Sequence, residues 1–412
     1  MKLLLKNAKI LPMDVDKVIE GYDILIKDGI IAKISVDIIE TEVEIFDCSE
    51  KYIIPGLINM HAHSVNSDML PLYLANGVTT VRNVWGNKVM MNWAREVESG
   101  IRIGPTIFNT SPLMDGIEFW VGAELIKTPM DAEIAVNRAI EEGYKIIKTY
   151  PEIPRDAFIR LMEVANELQI PVIGHANRHV SIQELIDLGY HGIEHASILP
   201  ENDLDIIKLA KSGVWNCPTL TIIQEIDNFM NKGATCEEHR YYKYVNTNER
   251  KDWNGIVNMF RNNPKYGFEF YEIAKRAKLF AQHSNNYTMG TDNGNPGVVA
   301  GFSEHDELEL MVKYMDLSPF EALRAATVNG ARDLGIYSKV GTVTEGKRAD
   351  LIILDKNPLE SISNIREICY VIKGDKFYDK QGLEALIQGA LDMNIEDIVF
   401  AISNEINSPE NR

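Results

Sequence analysis

Between residues 57 and 292, eight short apolar segments alternate with longer helical patterns, and this alternation limits the fold more than any other feature. Such alternation is typical of βαβ units, in which helices cover parallel strands. Eight units predict an α/β fold of the (β/α)8 TIM-barrel type, for which about 250 residues are typical. The alternative is an open doubly wound sheet, but no glycine fingerprint follows the first strand. The strand candidates are Leu57–His63, Val78–Asn83, Thr106–Asn109, Tyr144–Thr149, Pro171–His175, Gly192–His195, Val214–Pro218 and Tyr287–Asp292.

Both ends of the chain carry short strand patterns that are too small to fold alone. The pairs Asp28-Gly29 and Gly374-Asp375 each separate two such strands and predict hairpins. We therefore expect a small composite β-sandwich domain that is built from residues 1–55 and 340–380. The TIM barrel would then span residues 56–339.

Two further segments do not follow the alternation of strands and helices. Residues from about 221 to 285 contain no strand candidate and many aromatic side chains, which predicts a helical insertion. This insertion is either a lid or wall over the pocket or a structural unit with its own small core. Residues 381–412 predict a C-terminal helical tail, which could pack on its own barrel or on a second copy in a homo-oligomer.

The composition narrows the classes of partner. With 42 basic and 60 acidic residues the net charge is −18, and so acidic a chain repels nucleic-acid backbones. The four cysteines form no Cys-x-x-Cys pair, so neither a disulfide framework nor a zinc ribbon is indicated. No signal peptide and no membrane-spanning stretch of about 20 apolar residues stands out. We expect a cytoplasmic protein that acts on a small molecule.

The pair His61 and His63 ends the first strand candidate of the barrel. Alternate residues of a strand face the same way, so two imidazoles at this spacing can bind the same cation. By itself such a pair is a weak signal. Four other strand candidates also end in side chains that bind or support metal ions, namely Lys148, His175, His195 and Asp292.

The carboxyl ends of TIM-barrel strands meet at one face, where active sites lie. Each of the six side chains has an ordinary explanation of its own, such as an exposed lysine, a core histidine or a helix cap. Five strands that all end in this way nevertheless predict a metal site at the mouth of the barrel.

This arrangement resembles the binuclear-metal pattern of the amidohydrolase superfamily. In that pattern His-x-His lies on strand one, lysine on strand four, histidines on strands five and six, and aspartate on strand eight. Within the superfamily the chain is most similar to the prolidase and imidazolonepropionase-related branch, which includes metal-dependent dipeptidases. The resemblance extends to the sequences that frame the motif, which are Ile54–Asn59, Gly77–Arg82, Gly192–His195, Ala325–Ala331 and Gly346–Leu351.

The resemblance implies two divalent metal ions, with zinc as the default for imidazole and carboxylate ligands. It also implies that Lys148 takes up carbon dioxide and becomes a carbamate that bridges the two ions, whereas an unmodified lysine would leave one ion. The ions would generate a bridging hydroxide that attacks a carbonyl carbon, with Asp292 as general acid and base. The implied ligands are His61, His63 and Asp292 for one ion and His175 and His195 for the other.

These motifs favour hydrolysis of an amide bond in a dipeptide or an N-acyl amino acid. The alternative is a mononuclear-metal hydrolase or deaminase that acts on a cyclic amide or amidine such as an imidazolone. Mononuclear relatives usually carry a glutamate three residues after the strand-five histidine, where this chain has Arg178. A non-catalytic relative would be marked by a lost metal ligand, and none is lost in this sequence.

Four side chains just past the strand ends are candidates for substrate contacts. An arginine there could hold a substrate carboxylate through two hydrogen bonds, which would suit a dipeptide. The structural alternatives are a salt bridge for each arginine and a pocket wall for the tyrosine. The candidates are Arg82, Tyr150, Arg178 and His179.

Overall fold

The computed structural model describes residues 2–64, 66–118, 122–262 and 269–393. Its strands are β1 Lys2–Ile10, β2 Ile19–Lys27, β3 Ile30–Ser35, β4 Glu44–Asp47, β5 Tyr52–Pro55, β6 Leu57–Ala62, β7 Val78–Asn83, β8 Thr106–Asn109, β9 Leu113–Asp115, β10 Glu124–Leu125, β11 Ile147–Thr149, β12 Val172–Gly174, β13 Gly192–Glu194, β14 Trp215–Cys217, β15 Asp350–Leu354, β16 Ile368–Lys373 and β17 Lys376–Tyr378. Its helices are α1 Met69–Ala75, α2 Lys88–Glu98, α3 Pro129–Glu141, α4 Arg155–Glu167, α5 Ile182–Asp187, α6 Asp203–Ser212, α7 Leu220–Asn231, α8 Thr247–Arg261, α9 Phe270–His283, α10 Phe302–Tyr314, α11 Pro319–Arg324, α12 Gly330–Asp333 and α13 Lys380–Asp392.

Two parallel sheets lie at the centre of the barrel region. One has the strand order β6-β7-β8, and the other has the order β10-β9-β11-β12-β13-β14. Seven of the eight predicted strands overlap strands of these sheets, whereas β9 and β10 were not predicted. Both are very short, and Pro112 separates β9 from β8, so neither forms a recognisable apolar run. Parallel strands that alternate with helices make this region a TIM-barrel-like α/β domain.

The eighth predicted strand, Tyr287–Asp292, is not a regular strand, so this part of the prediction was wrong. The segment is nevertheless hydrogen-bonded to both sheets, because one of its amides donates to β14 at 3.0 Å and one of its carbonyls accepts from β6 at 2.8 Å. Two residues disturb the regular pairing. A Cβ at Gly290 would lie 2.4 Å from the Cys217 sulfur, and Asp292 has a φ of 60°.

The two ends of the chain contribute to one mixed eight-stranded sheet. Its order is β17-β16-β15-β5-β1-β2-β3, with β4 paired to β1. Hairpins turn at Asp28-Gly29 and at Gly374, where positive φ angles of 50°, 76° and 58° suit short polar residues and glycine. The composite origin of this sheet follows the expected pattern. The sandwich arrangement and the domain boundaries remain predictions.

Three of the covering helices begin with capping boxes, in which a hydroxyl and a carboxylate satisfy the first free amides of the helix. Caps of this kind fix the residue at which each helix begins. The capping pairs are Thr128 and Asp131 at α3, Ser181 and Glu184 at α5, and Ser318 and Glu321 at α11.

The predicted helical insertion contains most of α7 and all of α8 and α9. It has a small apolar core of its own, in which Trp253 and Phe229 are buried and which packs against Val299 of the barrel. It also contacts the loop that follows β6, since the Asn246 amide donates to the Asp68 carboxylate at 3.0 Å. The contacts therefore support the expectation of a structural unit with its own small core. The insertion also borders the loop that follows the His-x-His strand. Its residues 263–268 lie outside the described residues.

The predicted C-terminal tail begins with α13, which packs on α1. The remainder of the predicted tail, residues 394–412, lies outside the described residues. In the described part of the chain, no helix combines the length and the apolar character that crossing a membrane requires.

Candidate metal centre

The structure brings the six predicted ligand residues together at one end of the parallel sheets. The ring centres of His61 and His63 are 5.4 Å apart, those of His61 and His195 are 4.4 Å apart, and those of His175 and His195 are 4.9 Å apart. The Lys148 amine lies 5.7 Å from the ring centre of Tyr150, which stacks on His175 at 4.2 Å. Side chains from the ends of four strands and from the segment Tyr287–Asp292 thus converge, as the sequence predicts.

Asp292 lies among the histidines. Its Oδ1 atom is 2.9 Å from His63 Nε2 and 3.4 Å from His61 Nε2, and its Oδ2 atom is 3.9 Å from His195 Nδ1. The histidine nitrogens, carboxylate and lysine make up a donor set that is suited to a divalent transition-metal ion. One atom each of His61, His195 and Asp292 lie within 4.8 Å of one another, close enough to share such an ion.

Two of these residues have backbone conformations that are rare for residues other than glycine. His195 has a φ of 67° and Asp292 has a φ of 60°. Their amides are nevertheless paired, because His195 donates to Cys217 and Asp292 donates to the His61 carbonyl, both at 2.8 Å. Such conformations cost about 1–3 kcal/mol each and persist where the surrounding structure holds them, often at functional sites.

Several side-chain nitrogens of this cluster are buried without a hydrogen-bond partner in the described part of the chain. Folded proteins leave few buried polar atoms unpaired, so each such atom calls for an explanation. Metal coordination explains His61 Nε2, which lies 3.4 Å from Asp292 Oδ1, and the donor set therefore fits a metal ion. The unpartnered atoms are His61 Nε2, His63 Nδ1, Lys148 Nζ and His175 Nε2.

The electrostatics of the cluster suit metal binding. Burial lowers the pKa of His63, and it holds the pKa values of His175 and His195 well below the usual range. These rings are therefore neutral near pH 7, which is the form that binds a cation. Burial opposes ionisation of Asp292, but the neighbouring histidines, led by His195, hold the pKa of its carboxyl well below its usual range. Burial also lowers the pKa of the Lys148 amine to about 8.

The Arg82 side chain is buried and bonded to other groups of the protein. It is 3% exposed, and its guanidinium bonds to Glu194 at 2.6 Å, to Asp333 at 3.0 Å and to the Met60 carbonyl at 2.7 Å. These interactions favour the structural alternative of a salt bridge over a substrate contact. Glu194 in turn bonds to His61 Nδ1 at 2.5 Å.

The partners of Arg82 were not predicted from the sequence. Glu194 stands next to His195 in the chain, and its acidic side chain on an otherwise apolar strand was the one available signal. Asp333 is 251 residues from Arg82 and carries no local signal. Thr219, whose hydroxyl lies 2.8 Å from His195 Nδ1, was also missed.

The other three substrate candidates closely follow Lys148 or His175 in the chain. Tyr150 stacks on His175, which agrees with a pocket wall. Arg178 and His179 are 56% and 44% exposed, and both approach Glu152, Arg178 at 2.6 Å and His179 at 3.8 Å. A substrate contact remains a prediction for Tyr150, Arg178 and His179.

Comparisons with known proteins agree on the class of protein. The model of the amidohydrolase family matches residues 52–378. The chain is 24% identical to an imidazolonepropionase from Clostridium tetani, over 82% of this chain and 85% of that protein. A solved Xaa-Pro dipeptidase with bound methionine in the active site has a TM-score of 0.76 at 20% identity, over 92% of this chain and 100% of that structure. A putative prolidase from Bifidobacterium longum has a TM-score of 0.73 at 24% identity, over 94% and 98%. The likeness to the solved structures shows the shared fold.

Proposed function

Since this chain belongs to the amidohydrolase family, as its motifs predict, we propose that it is a metal-dependent hydrolase that cleaves the amide bond of a dipeptide or an N-acyl amino acid. One observation carries the proposal. The imidazoles of His61, His63 and His195 lie around the ionised carboxylate of Asp292, and His61 Nε2 is buried without a hydrogen-bond partner among the described residues. Active sites of TIM-barrel enzymes occupy the face at the carboxyl ends of the strands.

Each metal position has its own proposed ligands. His61, His63 and Asp292 would hold one ion, and His175 and His195 would hold the other, with zinc as the expected metal. When bound, such a pair of ions lowers the pKa of coordinated water and polarises a carbonyl oxygen. The hydrogen bonds from the eighth segment to β6 and β14 support a closed eight-stranded barrel, which would hold these ligands in a ring.

Lys148 is the residue that would make the site binuclear. Its amine is fully buried without a hydrogen-bond partner among the described residues, and burial lowers its pKa to about 8. About a tenth of the amine is therefore neutral near pH 7, and a neutral amine can react with carbon dioxide. The resulting carbamate would supply two oxygen atoms to the metal positions.

Asp292 is the proposed general acid and base. It is ionised, and its Oδ1 atom is occupied by His63 at 2.9 Å, whereas Oδ2 is 3.9 Å from the nearest imidazole nitrogen of His195. Oδ2 can therefore accept a proton from water at the centre and then donate that proton to the leaving nitrogen. Arginine at position 178, in place of a second glutamate, agrees with peptide-like substrates.

The test is hydrolysis of a library of dipeptides and N-acyl amino acids by the zinc- and bicarbonate-treated protein, with Lys148→Ala and Lys145→Ala compared. Lys145 is an exposed lysine on the same approach to β11 and is the matched control. We expect the Lys148 variant to lose activity and bound metal, and the Lys145 variant to keep both. Full activity with intact metal content in Lys148→Ala would refute the bridging role.

A single-ion centre is the second candidate function. It is favoured by the compact group of His61, His195 and Asp292 and by the similarity to an imidazolonepropionase. Such a protein would open a cyclic amide or release ammonia from an amidine, and it would leave the dipeptides intact. Screening both substrate classes with the same preparation separates the two candidates.

A further inference from the structure

We infer that the two proposed metal positions differ in affinity, and that the His61 side binds the tighter ion because Glu194 and Arg82 fix the orientation of the His61 ring. The inference rests on the proposed metal-dependent function and deepens it. It concerns residues that surround the ligands rather than the ligands themselves.

On the His61 side, a carboxylate holds the ring nitrogen that faces away from the cluster. Glu194 Oε2 lies 2.5 Å from His61 Nδ1, and both side chains are 1% exposed. This contact places the proton on Nδ1 and leaves the Nε2 lone pair for a cation. A carboxylate in this position also raises the basicity of the ring, and the loss of such a partner typically weakens metal binding about 10-fold to 100-fold.

Glu194 is itself immobilised by charged partners. Arg82 bonds to its second oxygen at 2.6 Å and to Asp333 at 3.0 Å, while His191 Nε2 lies 2.5 Å from Asp333. The chain of contacts therefore runs from His61 through Glu194, Arg82 and Asp333 to His191. It holds Glu194 in one orientation, so Arg82 is a positioning residue for His61.

The His195 side has a neutral counterpart. His195 Nδ1 lies 2.8 Å from the Thr219 hydroxyl, which can donate or accept a hydrogen bond and so does not select one tautomer. The nearest carboxylate on this nitrogen is Asp292 at 3.9 Å, which belongs to the ligand set. His175 stacks on the Tyr150 ring, and no carboxylate of a described residue pairs with it. The ligands on this side are therefore less basic and less firmly oriented.

The contacts of Glu194 also argue against a third metal position next to His61 Nδ1. His61, Glu194 and Cys217 offer atoms within 4.8 Å of one another. The Arg82 guanidinium and the His61 ring already bond to the two oxygens of Glu194, however, so this carboxylate is engaged by the protein. Glu194 therefore acts through His61 rather than as a ligand.

The experiment is a Co²⁺ titration of the chelator-treated full chain with bicarbonate present, followed by visible absorption. We expect two phases in the unaltered protein. In Glu194→Gln the tighter phase should weaken about 10-fold to 100-fold while the weaker phase stays within about 2-fold. Thr219→Val is the matched control on the other side, and it should change only the weaker phase.

The outcomes separate this inference from the proposed function. Equal affinities for both ions, or an equal loss from both phases in Glu194→Gln, would overturn the inference alone. No cobalt binding by the unaltered protein would overturn both. If Glu194→Gln does not fold, ¹⁵N NMR of the histidines in the metal-free unaltered protein decides the question. A proton on His61 Nδ1 supports the inference, and a proton on Nε2 contradicts it.

Discussion

Arg82 and Arg178 lie in two regions that look alike in sequence and differ in the folded protein. Arg82 is the last residue but one of β7, Arg178 follows β12, and each pairs with a carboxylate at 2.6 Å. Arg82 belongs to the inner cluster, which we define as Arg82, Glu194, Asp333 and His191. Arg178 belongs to the mouth cluster, which consists of Glu152, Arg178 and His179.

The difference between the two clusters is burial. The Arg82 side chain is 3% exposed, whereas that of Arg178 is 56% exposed. A buried charge that loses its partner is strongly destabilising, while an exposed ion pair contributes about 0–1 kcal/mol because water screens it. The inner cluster is therefore expected to support the fold and the metal ligands, and the mouth cluster is expected to contribute little to stability.

Asp292→Asn should have the largest effect, because Asp292 lies among the ligand histidines and would both bind metal and move the proton. We expect turnover to fall by about 100-fold to 10,000-fold while the fold is retained. Steady-state kinetics and circular dichroism check this prediction. A loss of less than about 10-fold would mean that another group transfers the proton.

Arg82→Met tests the inner cluster directly. The substitution leaves Glu194 and Asp333 buried without their cation, so the free energy of unfolding should fall by about 3–5 kcal/mol. Urea denaturation of the metal-free variant measures this change, with Arg178→Met as the control from the mouth cluster. Similar losses in both variants would remove the distinction between the clusters.

Glu304→Gln compares a buried carboxyl group that lacks a cation with Glu194, which has one. Glu304 is buried and forms no salt bridge to any described residue. Its Oε1 atom accepts from Asn59 at 2.7 Å, and burial raises the pKa of its carboxyl to about 8. In contrast, Arg82 and His61 overcome burial and hold the pKa of Glu194 well below its usual range.

The sign of the pH effect follows from proton binding. Since folded Glu304 keeps its proton up to a pKa of about 8 and the unfolded residue loses it near 4.5, its contribution to stability is full below pH 4.5 and is lost as pH rises to 8. The unaltered protein should therefore lose stability relative to Glu304→Gln by up to about 1.4 kcal/mol per pH unit in this range. Parallel stability curves for the two proteins would show that Glu304 is ionised in the folded state.

Arg178→Met should have the smallest effect on stability and a selective effect on substrate binding. If Arg178 holds a substrate carboxylate, KM for a free dipeptide should rise about 10-fold, because a hydrogen bond to a charged group contributes about 1.5–3 kcal/mol. The KM for the corresponding dipeptide amide, which lacks the carboxylate, should change little. Equal changes for both substrates would assign Arg178 to the loop structure only.

The sequence predicts the residues of the centre better than it predicts their surroundings. The six ligand candidates are visible because each stands at the end of a short apolar run, and parallel strands bring such ends together. The inner cluster could not be predicted, since the contact between Arg82 and Asp333 joins residues 251 positions apart. The local sequence also does not distinguish Arg82 from Arg178, because the burial of each side chain depends on tertiary packing.

Backbone detail limited the prediction of the fold in a similar way. The position of the eighth barrel segment could be inferred from its apolar residues. Its irregular form depends on the close approach of Gly290 to Cys217 and on the positive φ of Asp292. Neither feature follows from apolar periodicity, which reports which face of a segment is buried and not how its hydrogen bonds are arranged.

The most direct test of the account is metal content per chain, measured by elemental analysis. The protein would be purified without chelators and then supplied with zinc and bicarbonate. We expect about two zinc ions per chain, as required by a carboxylated Lys148 between the His61 and His195 sides. About one ion per chain would contradict the binuclear centre and favour the single-ion alternative, and no bound metal would contradict the metal-dependent function itself.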